Sequence, residues 1–139
     1  MGDAFTQYKM GLNHVGAYAV SGIPWVSGGI SVPNSASTPI QITFPHITRR
    51  VVVHVTDANT CRVGFSANGV KYTSNYFIAD GDKANNGADP YDMHVKCDRI
   101  FLLSNDGNTV TVSVAAELTG IPASEYPLAT AYSGAAGIG

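Results

Sequence analysis

The residues best suited to acid–base or metal chemistry in this chain are its histidines and some of its aspartates. They are His14, His46, His54 and His94, together with Asp57, Asp92 and Asp98. Their spacing matches no metal-binding or catalytic motif. His54 and His94 each fall on the polar side of an expected strand, where a solvated or cross-strand paired side chain is usual. We therefore predict no metal site and no catalytic residue among them.

The segment from Asp80 to Asp89 is the most acidic and glycine-rich part of the chain, and it starts like the calcium loop of an EF-hand. Ala84 then stands where the third oxygen ligand should be, and the glycine is displaced. The flanking helices that an EF-hand needs are not predicted either. A solvated loop is therefore favoured over a calcium site, and no cofactor is expected.

The two cysteines, Cys61 and Cys97, share the alternation of apolar neighbours and should point inward as small hydrophobic side chains. A disulfide, a metal site or a nucleophile are the alternatives for these thiols. The sequence contains no Gly-x-Ser-x-Gly elbow, no phosphate-binding loop, no His-Glu-x-x-His and no Cys-x-x-Cys. A small hydrolase is therefore only a remote alternative, and we predict that the chain is not an enzyme.

Composition favours an all-β chain. Of 139 residues, 13% are charged and 45% hydrophobic, and the two glutamates and four lysines cannot supply the polar faces of several helices. The length suits one domain. The net charge of -2 gives no basic surface for nucleic acid, so no nucleic-acid partner is expected.

Apolar residues alternate with polar or small ones in several short segments separated by Gly, Pro and Asn, which predicts half-buried strands. We expect an antiparallel β-sandwich or jelly roll of about eight strands. The turn Asn105–Asn108 should close a tight hairpin between Arg99–Leu103 and Thr109–Leu118. The other expected strands are Val15–Val20, Ile30–Val32, Ile40–Phe44, Val51–Val55, Cys61–Phe65, Asn75–Ala79 and Tyr91–Cys97.

Both flanks carry few charges, which is unusual for free tails. We divide the single domain into an N-terminal arm with first strands (1–33), a sandwich core (34–118) and an extended apolar arm (119–139). The arms should either contact neighbouring subunits or pack on their own domain. The expected arm residues at a subunit interface are Tyr8, Leu12, Ile121, Tyr126, Leu128, Tyr132 and Ile138.

No membrane span or signal peptide is apparent, so synthesis in a cytosol is expected. The first six residues match the loose myristoylation pattern at Gly2, but an unmodified terminus is favoured. A β-sandwich that binds carbohydrate or a receptor is the main alternative function, because loop aromatics can stack on sugars; filling the core is the other use of such rings. The candidate aromatics are Trp25, Tyr72, Tyr76 and Tyr91.

Four segments give the chain a family likeness: the uncharged stretch Gly16–Gly22, the strands Ile40–Phe44 and Arg50–Thr56, and the passage Ala116–Ile121. In these it resembles the small jelly-roll minor capsid or decoration proteins of double-stranded DNA viruses. The resemblance implies a non-enzymatic virion component, made in the host cytoplasm. Its partners would be further copies of itself, as a homo-oligomer, and another capsid protein.

Overall fold

The computed structural model describes residues 22–81, 90–125 and 136–139. Within these ranges the chain forms eight β-strands, one short α-helix and one 3-10 turn, Ala123–Glu125. The strands and helix are β1 Ile23–Val32, β2 Ile40–Thr43, β3 His46–Val55, β4 Thr60–Gly64, α1 Ala67–Lys71, β5 Phe77–Asp80, β6 Tyr91–Met93, β7 Arg99–Ser104 and β8 Val110–Pro122. The predicted strand Val15–Val20 lies outside the described residues.

The strands form two four-stranded sheets. The first sheet has the order β1-β8-β3-β6 and the second the order β2-β7-β4-β5. The first strand pairs with the eighth, the second with the seventh, the third with the sixth and the fourth with the fifth, all antiparallel. This is the pairing of a jelly roll, in which one long antiparallel ribbon is wound into two sheets. The prediction of an all-β sandwich is confirmed.

Alternation along the strands builds the core between the sheets. On β8, Val110, Val112 and Val114 are buried, whereas Thr111 and Ser113 are only half-buried. The second sheet supplies the opposing layer. Its fully buried side chains include Cys61, Val63, Ile100 and Leu102.

The predicted hairpin between β7 and β8 is wrong. The turn is present, with Asp106 Oδ1 accepting from the Asn108 backbone N–H at 2.8 Å, but it carries the chain from one sheet to the other. β7 pairs with β2 and β4, and β8 pairs with β1 and β3. The two strands lie in opposite layers of the sandwich, so each takes its backbone hydrogen bonds from strands that are distant in sequence.

The last strand is longer than predicted. β8 continues past Leu118 to Pro122, which pairs with His46 at the start of β3. Thr119 Oγ1 donates to the Ile47 carbonyl at 2.7 Å, and Ile121 is fully buried. The start of the predicted C-terminal arm is therefore part of the sandwich.

Thr48 fastens β3 to the loop before β7. Its side chain is fully buried, and its Oγ1 donates to the Val95 carbonyl at 2.8 Å and accepts from the Cys97 backbone N–H at 3.1 Å. The register of β3 against β8 shifts on either side of this residue. One hydroxyl thus satisfies two backbone groups where the ladder is irregular.

Substitution of Thr48 by Val should destabilise the domain by about 1–3 kcal/mol, because it leaves two backbone groups unpaired without changing the volume. Urea unfolding followed by circular dichroism measures the loss. Thr38→Val, at an exposed position, is the matched control and should change stability by less than about 0.5 kcal/mol. Equal stability of both variants would show that the Thr48 hydroxyl is unimportant.

Candidate interaction surfaces

In the part of the chain that the structure describes, the candidate acid–base residues form no cluster of three or more. His54 is half-buried on β3, and the exposed His94 has its Nε2 4.0 Å from Asp92 Oδ1. Among the residues that the structure describes, no group of three or more His, Cys, Asp or Glu side chains is placed to hold a metal ion. His14 and residues 82–89 of the acidic loop lie outside the described residues.

Both cysteines are buried free thiols, as predicted. Cys61 is fully buried, and burial raises the pKa of its thiol to about 12. Burial also raises the pKa of Cys97 to about 11, although a hydrogen bond with the Thr48 hydroxyl works against that increase. Because the thiolate is the reactive form and a raised pKa keeps both thiols protonated near neutral pH, neither cysteine has the environment of a nucleophile.

A thiol reagent such as dithionitrobenzoate should therefore leave both cysteines unmodified in the native protein at about pH 8. In concentrated guanidinium chloride both should react at once, because unfolding exposes them and returns their pKa to the ordinary value. Absorbance of the released thiolate counts the modified groups. Rapid modification of either cysteine in the native state would contradict its burial.

The outer face of the first sheet carries an apolar row. Val26 on β1 pairs with Ala115 on β8, which pairs with Val52 on β3, so the three side chains stand side by side across the sheet. Val26 is 72% exposed, the largest exposed fraction among the three. A shallow cavity of about 250 Å³ lies over this row. We call this surface the outer face.

Charges of both signs flank the outer face. Arg50 on β3 forms a bidentate ion pair with Asp92 on β6, with Nε–Oδ1 and Nη2–Oδ2 distances of 2.8 and 2.7 Å. Glu117 Oε2 lies 3.9 Å from Arg50 Nη1 and 3.8 Å from Arg49 Nε. The hydrogen bond from Arg50 lowers the pKa of Asp92, with a smaller contribution from the positive charge itself.

Replacement of Arg50 by Met should raise the pKa of Asp92 toward its ordinary value. Because folding lowers this pKa, the ion pair favours the folded state above the ordinary carboxyl pKa, near 3.9, and that contribution disappears as the pH falls through the lowered value. Carboxyl carbon NMR shifts recorded against pH measure the change. Lys71→Met, which removes a cation on α1 in contact with Tyr72, should leave the Asp92 titration unaltered. An unchanged Asp92 titration in Arg50→Met would contradict the assignment.

The last residues of the chain form a second surface with the loop around α1. Ser66 Oγ donates to the Ile138 carbonyl at 2.7 Å, and Asn68 Nδ2 donates to the Gly139 carbonyl at 2.8 Å. Thr73 Oγ1 also donates to Gly139 O, at 3.1 Å. We define the tail as residues 136–139 and the tail groove as Ser66, Asn68, Gly69 and Thr73.

The predicted arm residues are divided between different surroundings. Ile121 is fully buried within its own chain, so its side chain is not available to a neighbouring subunit. Ile138 is half-buried and lies in the tail beside Phe65 and Val95. The remaining predicted arm residues lie outside the described part of the chain: Tyr8, Leu12, Tyr126, Leu128 and Tyr132.

The four candidate sugar-stacking aromatics do not make one platform. Trp25 on β1 packs edge-on against Phe44, with ring centroids 4.9 Å apart. Tyr91 on β6 stacks on Phe77 at 3.9 Å, at the opposite edge of the first sheet. Two further rings lie in the loop before β5, where Tyr76 is covered by the Arg62 guanidinium and Tyr72 is exposed.

The sequence predicted an arm that includes Ile138 and allowed it to pack on its own domain, but it did not predict the outer face or the side chains of the tail groove. One residue of the outer face stands out in the sequence, because Ala115 is the only apolar residue on the polar side of β8 between Thr111 and Glu117. The apolar row of three residues is recognised only when β1 and β3 are known to lie on either side of β8. The tail groove gives no such signal. Its side chains bind backbone carbonyls, which every sequence has.

Comparison of the chain with protein-family models, curated proteins and solved structures gave no match. In the described ranges, no helix is both long and apolar enough to span a bilayer.

Proposed function

We propose that this chain is a non-enzymatic structural protein of a viral particle. It would be a capsid-associated subunit of the minor capsid, decoration or cement type, assembled with copies of itself and with another capsid protein. The observation that carries the proposal is the jelly-roll pairing of its strands, which is widespread among viral capsid domains. The same fold also occurs in lectins and cupins. The choice of an assembly role over sugar binding therefore depends on the surfaces of this domain.

The outer face supports an assembly role. Its centre is the aliphatic row Val26–Ala115–Val52, and its flank is the cluster of Arg50, Asp92 and Glu117. An apolar centre with a polar, charged rim is the usual anatomy of a protein interface. Because the flank carries both positive and negative side chains, a second copy of the same surface can place opposite charges against it. The candidate sugar-binding aromatics, by contrast, are spread over two edges of the molecule.

The test is the solution mass of the full-length protein by size-exclusion light scattering. The wild type should form a discrete oligomer. Val26→Asp should raise its dissociation constant by at least about tenfold, because a carboxylate would be buried without a partner. Ile78→Asp is the matched control, since Ile78 is an exposed aliphatic residue of the second sheet, and it should leave the mass unchanged.

Negative-stain electron microscopy of the same samples should show closed rings or shells and not open aggregates, because shell subunits assemble with closed symmetry. A wild-type monomer at every accessible concentration would contradict self-assembly. An oligomer that Val26→Asp leaves intact would show that the outer face is not the contact surface.

A further inference from the structure

The tail is held on the domain by side chains that recognise its backbone. Three hydrogen bonds, from Ser66, Asn68 and Thr73, reach the last two carbonyl oxygens. Ser66 Oγ also accepts from the Gly69 backbone N–H at 2.9 Å as the cap of α1, so the hydroxyl that binds Ile138 is fixed in position. None of these contacts depends on a charged residue of the tail.

The groove also has the shape that the tail backbone requires. A Cβ atom on Gly69 would lie 2.2 Å from the Ile138 carbonyl oxygen, well inside van der Waals contact. The tail therefore occupies the space that any other residue at position 69 would fill. Together with the three donors, this makes a groove that fits the backbone of a segment with small residues.

The tail groove and the end of β8 lie at the same end of the sandwich. The loop 56–59 joins β3 to β4 at one end of the sandwich. β4 runs from that loop to the other end, where α1 and the tail groove follow it. β8 is antiparallel to β3, and it therefore also ends away from that loop. Between Glu125 and the tail are residues 126–135, and ten residues can span up to about 35 Å.

We infer that the tail groove is an exchange site, in which the tail of one copy occupies the groove of a neighbouring copy. This inference rests on the proposed function, since it requires assembled subunits. The contacts are the same whether the tail comes from its own chain or from another, which is the condition for swapping a segment between copies. Three hydrogen bonds hold a short peptide weakly, but an assembly supplies the high local concentration that makes such binding effective. Tail exchange would then lock subunits that first meet through the outer face.

Two full-length variants and one shortened chain test the exchange. Gly69→Ala blocks the groove, and its matched control is Gly107→Ala, where an added Cβ meets nothing within 4 Å. Asn68→Ala combined with Thr73→Ala removes two exposed donors without adding bulk, in case Gly69→Ala disturbs α1. Deletion of residues 136–139 removes the tail and keeps the groove. Urea unfolding establishes that each protein is folded.

Each defective protein alone should lose the wild-type oligomer, whereas Gly107→Ala should keep it. Mixing a groove-defective protein with the tail-deleted one should restore a discrete one-to-one complex, because one supplies the tail and the other the groove. Light scattering and native mass spectrometry measure the stoichiometry. Failure of the mixture to form this complex would overturn the exchange.

The outcomes separate this inference from the proposed function. A wild-type oligomer that survives in every tail and groove variant, but dissociates in Val26→Asp, would overturn tail exchange and leave the assembly role standing. A wild-type protein that is always monomeric would overturn both.

Discussion

Deletion of residues 119–139 should unfold the domain, whereas deletion of residues 126–139 should leave it folded. The difference comes from the end of β8. Thr119 and Ile121 are buried, and the Thr119 hydroxyl holds the Ile47 carbonyl. Beyond the strand, the Ala123 backbone N–H donates to the Pro45 carbonyl at 3.1 Å. All these contacts are lost in the chain that ends at Leu118 and kept in the chain that ends at Glu125.

The expected magnitude follows from burial. Loss of a buried isoleucine side chain costs about 2–5 kcal/mol, and an unpaired buried carbonyl costs about 1–3 kcal/mol more. Removal of the strand end also exposes the edge of β3 at His46 and Ile47. The total is comparable with the whole stability of a small domain, about 5–15 kcal/mol.

Thermal unfolding by circular dichroism and calorimetry distinguishes the two truncations. The chain ending at Glu125 should keep a cooperative transition, and the chain ending at Leu118 should show none. Ile121→Ala in the full-length protein should lower the free energy of unfolding by about 2–5 kcal/mol. A cooperative transition in the shorter chain would mean that β8 is complete at Leu118, as the sequence alone predicts.

The boundary at residue 118 shows what periodicity can and cannot reveal. The alternation from Val110 to Leu118 marks a strand because β-strands place successive side chains on opposite faces. At Thr119 the alternation breaks, since Leu118 and Thr119 are both buried, and a buried threonine followed by Gly and Pro reads as the end of a strand. What extends β8 is its partner β3, and no local pattern specifies a partner.

Local sequence patterns predict the strands of this domain, whereas the pairing of the strands depends on residues that are distant in sequence. Local alternation located β2, β4 and β7 close to their predicted positions, but it located only the second half of β3 and the part of β8 before Thr119. The turn Asn105–Asn108 has the composition of a hairpin, but strand pairing in a jelly roll joins residues far apart in sequence. Turn residues determine where the chain reverses and do not determine which sheet it enters. The outer face depends on such distant pairings and was therefore not predicted.

The second large effect should follow substitution of Gly81, which the sequence places in a loop resembling a calcium site. In the structure, Gly81 directly follows β5 in a buried position, and its backbone N–H donates to the Asn59 carbonyl at 3.1 Å. An added Cβ would lie 2.0 Å from the Asp57 carbonyl oxygen and 2.5 Å from a methyl group of Val55. The glycine is needed because the loop after β3 passes directly over it.

Gly81→Ala should destabilise the domain by about 3 kcal/mol, at the upper end of ordinary overpacking, because backbone atoms must move to relieve the contact. Gly107→Ala, in open space, should change stability by less than about 0.5 kcal/mol. Urea unfolding of both variants, with and without added calcium, separates the two interpretations of this glycine. A large loss that calcium does not alter would mean that Gly81 serves the close packing of the loop after β3 against the end of β5. A variant as stable as the wild type would contradict the close approach of Asp57 to Gly81. If calcium stabilised the wild type but not the variant, the loop would bind calcium after all.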